Sequence, residues 1–242
     1  MGVVTAQGAR KLVGTAGGGT SAAHGEEIHA FVRDHRCTSC LELGFAWGVG
    51  ATYIASALES NGEGRLTSVD MPFEAGRAVE GRALLERGRL AHRVEVVLED
   101  GGYLWFLHRK LKEQTRDGTI EPIYDFVFLD GAHTWIEDGL ALLLVERLLR
   151  PGGWIHLDDL AWLPLAREDL PEHQRTFSHV QDIWDLLVVP NPAFDEMRID
   201  GETAWARKSP TVGSQTRVVY RQDLRRAVRS LAHTARVRLR RG

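Results

Sequence analysis

Five short apolar runs in this chain end in or beside an acid. CLELG reaches Gly44 just past Glu42, LTSVD ends at Asp70, VEVVL runs to Glu99 and Asp100, YDFVFLD ends at Asp130, and WIHLDD ends at Asp158 and Asp159. An acid that closes a strand about 26 residues after a glycine turn can accept both hydroxyls of a ribose, and we assign that chemistry to Asp70. Asp130, Asp158 and Asp159 pose a different problem. Three carboxylates on neighbouring strand ends repel one another unless a cation sits among them, and hard oxygen donors point to magnesium. His133, three residues past Asp130, can return to the same edge as a general base for a substrate hydroxyl. An unperturbed pKa near 6.5 and the start of the following helix both favour its neutral form. Plainer readings stand beside these. The glycines can be turn residues, Asp158 a helix cap, Asp130 a contact to a cofactor amine without a metal, and His133 a cap.

For these residues to meet, the runs must be strands of one parallel sheet whose carboxyl ends share an edge, where ligands bind in such folds. Helix-length amphipathic segments fill the gaps: Val49 to Glu59, Glu74 to Leu90, Tyr103 to Gln114, and Thr134 to Leu149, the last stopped by Pro151-Gly152-Gly153. A further helix fits Ser178 to Leu187, and FDEMRI, Asp200-Gly201 and ETAWARK read as an antiparallel hairpin closed by its Asp-Gly turn. The expected fold is α/β: a doubly wound, Rossmann-like domain over residues 25–210 with a mostly parallel seven-stranded sheet. His156 alternates with core positions and is expected to be buried. Residues 1–24, with six glycines, read as a flexible arm that cannot offset its ordering entropy by burial. Residues 211–242 read as a basic C-terminal helix.

Composition limits the partners. With 242 residues and 43% hydrophobic content the chain can build a sizeable core, which excludes disorder as a whole. The longest uncharged run, between Glu42 and Glu59, is broken by glycines and too short to span a bilayer, so no membrane partner is expected. No secretory leader pattern is visible, and a cytoplasmic setting is expected. Cys37 and Cys40 are the only cysteines, too few for a disulfide framework. The net charge of -3 hides an asymmetry: from Arg217 onward there are nine arginines and one acid, Asp223. Leu224, Val228, Leu231 and Ala235 recur at helical spacing there, so the tail is expected to dock on an acidic surface of its own body or of a partner subunit, a route to a homo-oligomer.

The glycine turn discriminates between adenosine cofactors. A nicotinamide fingerprint needs Gly-x-Gly-x-x-Gly, but Ala46 stands at the middle position, and Gly50 falls where a helix has begun. Glu42, two residues before Gly44, could meet the positively charged end of a ligand. S-adenosylmethionine carries an ammonium and a sulfonium and no pyrophosphate. On LELGFAWGVGATYIA, Asp70 in LTSVD, the segment from FLDGAH to LDDL, and the terminal hairpin, together covering roughly residues 25 to 208, the chain resembles the class I S-adenosylmethionine-dependent methyltransferases. Within them it is similar to the metal-dependent small-molecule O-methyltransferases of the catechol and antibiotic-sugar types.

The resemblance implies that Glu42, Gly44 and Gly48 line the methionine moiety, that Asp70 holds the ribose, and that Asp100 or Gly101 meets the adenine. It implies a magnesium ion on Asp130, Asp158 and Asp159 that binds two neighbouring oxygens of the acceptor. In the catechol type a lysine stands where His133 stands here, which leaves the base open. Trp135 and Trp162 could wall a ring-shaped substrate, and the segment from Trp162 to Thr176 fits a loop over the site. The expected activity is methylation of a small-molecule hydroxyl, with a vicinal diol on a sugar or phenolic natural product favoured. The alternatives are a metal-independent N- or carboxyl-methyltransferase, and a non-catalytic module that holds nucleic acid through its arginine-rich tail.

Overall fold

A computed structural model describes residues 2–14 and 19–211. Its strands are β1 (Ser39–Leu43), β2 (Arg65–Asp70), β3 (Val94–Leu98), β4 (Thr115–Arg116), β5 (Thr119–Ile120), β6 (Tyr124–Leu129), β7 (Leu149–Leu157), β8 (Phe194–Asp200) and β9 (Thr203–Lys208). The helices are α1 (Ala6–Val13), α2 (Ala22–Asp34), α3 (Val49–Asn61), α4 (Ala75–Arg87), α5 (Gly102–Gln114), α6 (Trp135–Leu148) and α7 (His179–Ile183). Seven strands form one sheet in the order β3-β2-β1-β6-β7-β9-β8. The first five in that order run parallel, while β9 is antiparallel to both β7 and β8. Chain order reverses between β1 and β6, so a crevice opens there at the carboxyl edge.

Strand periodicity of two sorts the core into two layers. Leu41, Leu43, Val127, Leu129, Ile155 and Leu157 point toward α5, α6 and α7. Cys40, Phe126, Phe128 and Trp154 point toward α2, α3 and α4. The two cysteines are free and buried within this second layer.

Several local expectations shift. The segment expected to be a flexible arm contains α1: Thr5 caps it by accepting the Gly8 N–H, and Ala9 is buried against Val49 and Tyr53 of α3. One cap and one buried face are enough to order eight residues that composition made look mobile. α6 ends at Leu148, and β7 starts at Leu149, ahead of the Pro-Gly-Gly tripeptide. Pro151 to Gly153 lie in a bulge of β7, where the register against β6 shifts and Gly152 takes φ +80°; proline and glycine are tolerated in strands at such points. The helix expected over 178–187 is α7 followed by a π-helical turn, Trp184–Val188. Strands β4 and β5, an extra hairpin around Asp117-Gly118, form a separate two-stranded sheet. The expected basic C-terminal helix lies outside the described residues. No helix among the described residues is long and apolar enough to cross a membrane.

Candidate active site

The turn after β1 is built by backbone demands. Gly44 has φ +109°, and a Cβ there would sit 1.8 Å from the carbonyl oxygen of Asp130, so only glycine lets the β1 and β6 ends approach this closely. Asp70 organises the same turn. Its carboxylate accepts the N–H groups of Phe45 at 3.0 Å, Ala46 at 2.8 Å and Met71 at 2.7 Å. Asp70, Gly44, Ala46 and Met71 wall one side of a cavity of about 760 Å³ whose other walls include Gly101 to Leu104 and Asp130 to His133.

The structure redistributes several expected roles. Glu42 is 1% exposed, hydrogen-bonded to Ser68 beneath the turn, and burial pushes its carboxyl well above the usual range. It therefore lies behind the cavity, under the first turn of α3, where a Cβ on Gly50 would meet its Oε1 at 2.5 Å. Gly48, at φ +71°, also falls off the cavity wall. It is the residue that lets α3 approach α4, since its Cβ would lie 3.0 Å from Gly81 Cα. Asp100 is exposed and off the wall, whereas Gly101 is on it. All three differences have one cause: a glycine or acid near a strand end can face the neighbouring helix or solvent as easily as the crevice, and packing decides which.

The three acids at the β6 and β7 ends separate into two groups. Asp130 and Asp159 face His133, whose Nε2 lies 3.4 Å from Asp130 Oδ1 and 3.3 Å from Asp159 Oδ2. Asp158 turns away and meets His24 Nδ1 at 3.4 Å. His24, near the start of α2, touches His156 nitrogen to nitrogen at 2.5 Å, and His156 Nδ1 lies 3.1 Å from the Ala204 carbonyl. A carbonyl only accepts, so His156 donates from Nδ1 and accepts the His24 Nε2–H at its Nε2. His156 is fully buried, as expected, and desolvation holds its pKa well below normal. A second cavity, of about 480 Å³, opens beside this group; His24, Glu27, Asp158, Asp159 and Glu202 line it, and Asp130 borders both cavities.

His133 differs from its expected state. It precedes the N-cap Thr134 and has φ +55°, so it stands outside the helix rather than in its first turn. Burial opposes the imidazolium, but the carboxylates of Asp130, Asp138 and Asp159 outweigh it and raise the pKa to about 9. In this arrangement the ring is a cation at neutral pH and not the free base that its unperturbed pKa suggested. Burial, aided by the charge of Asp158, raises the Asp130 and Asp159 carboxyls, with His133 pulling the other way. Ala46, His133 and Asp159 all have positive φ without being glycine; strain of this kind gathers at functional sites.

His133 thus supplies compensation for the acid cluster that the sequence did not reveal, and His24 gives Asp158 a partner of its own. The donor set still fits a divalent ion. Ligand atoms of Asp130, His133 and Asp159 lie within 4.8 Å of one another, the one such cluster among the described residues. His133 Nε2 is buried with no hydrogen-bond partner. Once the His133 ring gives up its proton, the set is one imidazole nitrogen and two carboxylate oxygens; the oxygens suit magnesium or manganese, and the nitrogen favours manganese of the two. The fit places Asp159 and His133 in the set and leaves Asp158, an expected ligand, held by His24. Trp162 stands beside His133, ring centroids 5.3 Å apart, on the wall of the larger cavity, while Trp135 is half-exposed and off that wall. Sequence reasoning missed His24 altogether, because its partner Asp158 is far along the chain.

Comparison with known proteins agrees with the fold. Residues 41–160 match a family model described as a methyltransferase domain. Three solved structures illustrate the shared fold. The O-methyltransferase TomG of Streptomyces achromogenes, in complex with S-adenosylmethionine, is 20% identical with a TM-score of 0.59, over 84% of this chain and 87% of that one. An O-methyltransferase from Bacillus cereus in complex with S-adenosylhomocysteine is 20% identical with a TM-score of 0.59, over 84% and 90%. The S-adenosylhomocysteine-bound methyltransferase PaMTH1 of Podospora anserina is 16% identical with a TM-score of 0.57, over 84% and 86%. No curated protein matches by sequence. Residues 41–160 thus form a methyltransferase domain, and the match supports an S-adenosylmethionine-dependent methyltransferase as the class of the enzyme.

Proposed function

We propose that this methyltransferase acts on a hydroxyl of a small molecule, favouring two neighbouring oxygens such as those of a sugar or phenolic natural product, with a divalent ion, magnesium first, held by Asp130, His133 and Asp159. The observation that carries the reading is the convergence of those three side chains at the border between the two cavities. The names of two structural neighbours, O-methyltransferases, one of them from tomaymycin synthesis, support an oxygen acceptor.

S-adenosylmethionine supplies an electrophilic methyl group, and a divalent ion lowers the charge cost of an acceptor alkoxide or phenolate. The chain's own residues bind and orient. Asp70, anchored by three backbone N–H groups, is a preorganised acceptor for a ribose hydroxyl. Gly44 and Ala46 bare the backbone toward the methionine end, and Gly101 serves the adenine end. Trp162 offers a flat wall to a ring-shaped acceptor. A second reading is favoured by the raised pKa of His133: the imidazolium can itself be the cation between Asp130 and Asp159, and can orient the acceptor oxygen without a metal.

The test is transfer of labelled methyl from S-adenosylmethionine to a panel of catechols and sugar diols, with magnesium and with chelator. Incorporation that needs the ion is the expected result. Undiminished turnover in chelator removes the metal and leaves the second reading. Failure to bind S-adenosylhomocysteine in calorimetry removes the cofactor assignment.

A further inference from the structure

We propose that Tyr103 and Asp138 are positioning residues, a buried strut through which occupancy of the adenine end of the cofactor cavity fixes the turn that carries His133. The inference rests on the cofactor and cation sites proposed above, and it concerns Tyr103, on the cavity wall, and Asp138, behind His133, neither of which is assigned a ligand contact there.

Tyr103 is the second residue of α5, next to Gly101 and Gly102 on the cavity wall. Its hydroxyl donates to Asp138 Oδ1 at 2.5 Å and accepts the Ala132 N–H at 3.2 Å. Asp138, on the first turn of α6 and 2% exposed, accepts the Thr134 N–H on its other oxygen at 3.2 Å. The residues on either side of His133 are therefore gripped from behind by one side chain from α5 and one from α6. Nothing larger than glycine fits at Gly131, where a Cβ would stand 2.6 Å from Asp138 Oδ1 and 2.8 Å from the Tyr103 hydroxyl.

This grip has a cost and a use. A carboxylate buried in an apolar layer is expensive, and burial raises the Asp138 carboxyl. A helix with a Thr134 cap and Glu137 at the matching capping position does not need it for nucleation. What it does hold is His133 in its positive-φ conformation, with Nε2 aimed between Asp130 and Asp159. The same tyrosine borders the adenine end, so a ligand that orders the first turn of α5 also orders the His133 turn. Two sites that share a fixed element are coupled, and the coupling is reciprocal.

The experiment is calorimetry on the full chain with S-adenosylhomocysteine, with Mn2+, and with each in the presence of the other. In the parent, S-adenosylhomocysteine should tighten Mn2+ about fivefold or more, within the usual range of couplings. In Tyr103→Phe the affinity for S-adenosylhomocysteine alone should stay within about threefold, while the coupling falls below about twofold. Asp138→Asn keeps an acceptor for the tyrosine but loses one for Thr134, and should give an intermediate coupling; it serves as the second variant if Tyr103→Phe does not fold. A parent that binds both ligands without coupling, or a folded Tyr103→Phe that keeps the full coupling, overturns the proposal. If S-adenosylhomocysteine binds and Mn2+ does not, the metal reading fails separately, and the strut is read on the His133 ring signals in NMR. Addition of S-adenosylhomocysteine should then displace them at least about twice as far in the parent as in Tyr103→Phe, and equal displacement overturns the proposal.

Discussion

At the β2 end of the site Asp70 is held by three backbone N–H groups from the turns beside it, whereas at the β6 and β7 ends Asp130, Asp158 and Asp159 meet histidines, His133 from the next turn and His24 from α2. The first arrangement is local. A carboxylate paired with backbone keeps its place whatever the distant packing does, which suits the ribose contact proposed for Asp70. The second depends on side chains brought in from elsewhere, and its charge balance changes when a proton or an ion enters. The proposed cofactor side is thus built on backbone contacts and the proposed acceptor side on side-chain contacts.

The largest expected effect breaks the contact between the two sides. Gly44→Ala forces a Cβ into the Asp130 carbonyl and should cost about 3 kcal/mol or more of stability, by overpacking and positive-φ strain together; chemical denaturation measures it. A folded, fully stable variant would show that the β1 and β6 ends are not locked. Next, Asp70→Asn should weaken S-adenosylhomocysteine by about 2 kcal/mol, roughly thirtyfold, through loss of charged hydrogen bonds, and unchanged affinity in calorimetry would overturn the ribose assignment.

A buried histidine without a carboxylate partner sharpens the contrast with His133. His29 is 1% exposed with neither ring nitrogen hydrogen-bonded, and burial, aided by Arg33 and opposed by Asp34, lowers its pKa to about 4. The unfolded chain takes up this proton near pH 6.5 and the folded chain only near 4, so stability is full above pH 6.5 and declines as pH falls toward 4. The loss should be at most about 3 kcal/mol, and His29→Phe should flatten that part of the melting-temperature profile. An unchanged profile would mean that another group carries the acid response.

Smaller still is the difference between the two adjacent acids of the β7 end. Asp159→Asn should weaken Mn2+ about tenfold, near 1.4 kcal/mol, and Asp158→Asn less than about threefold. The reverse order in calorimetry would restore Asp158 as the ligand. Asp100→Ala should change S-adenosylhomocysteine affinity by less than about twofold, because its side chain is exposed and off the cavity wall; a larger loss would put it back at the adenine.

Much of this was legible in the chain itself. The alternation of apolar runs and amphipathic segments set the parallel strands and most helix limits, the Asp200-Gly201 turn set the terminal hairpin, and the glycine turn with Asp70 set the sheet edge on which the larger cavity opens. These follow from periods of two and 3.6 and from turn chemistry, which act over a few residues. Tertiary structure alone decided which way each side chain faces once the strands are laid together. It buried Glu42 under α3, gave Gly48 to helix packing, ordered α1, and divided Asp158 from Asp159 between His24 and His133. Neighbours along a chain leave a strand end toward different partners, and the charge and orientation of a buried group are set by whatever distant segment comes to lie against it.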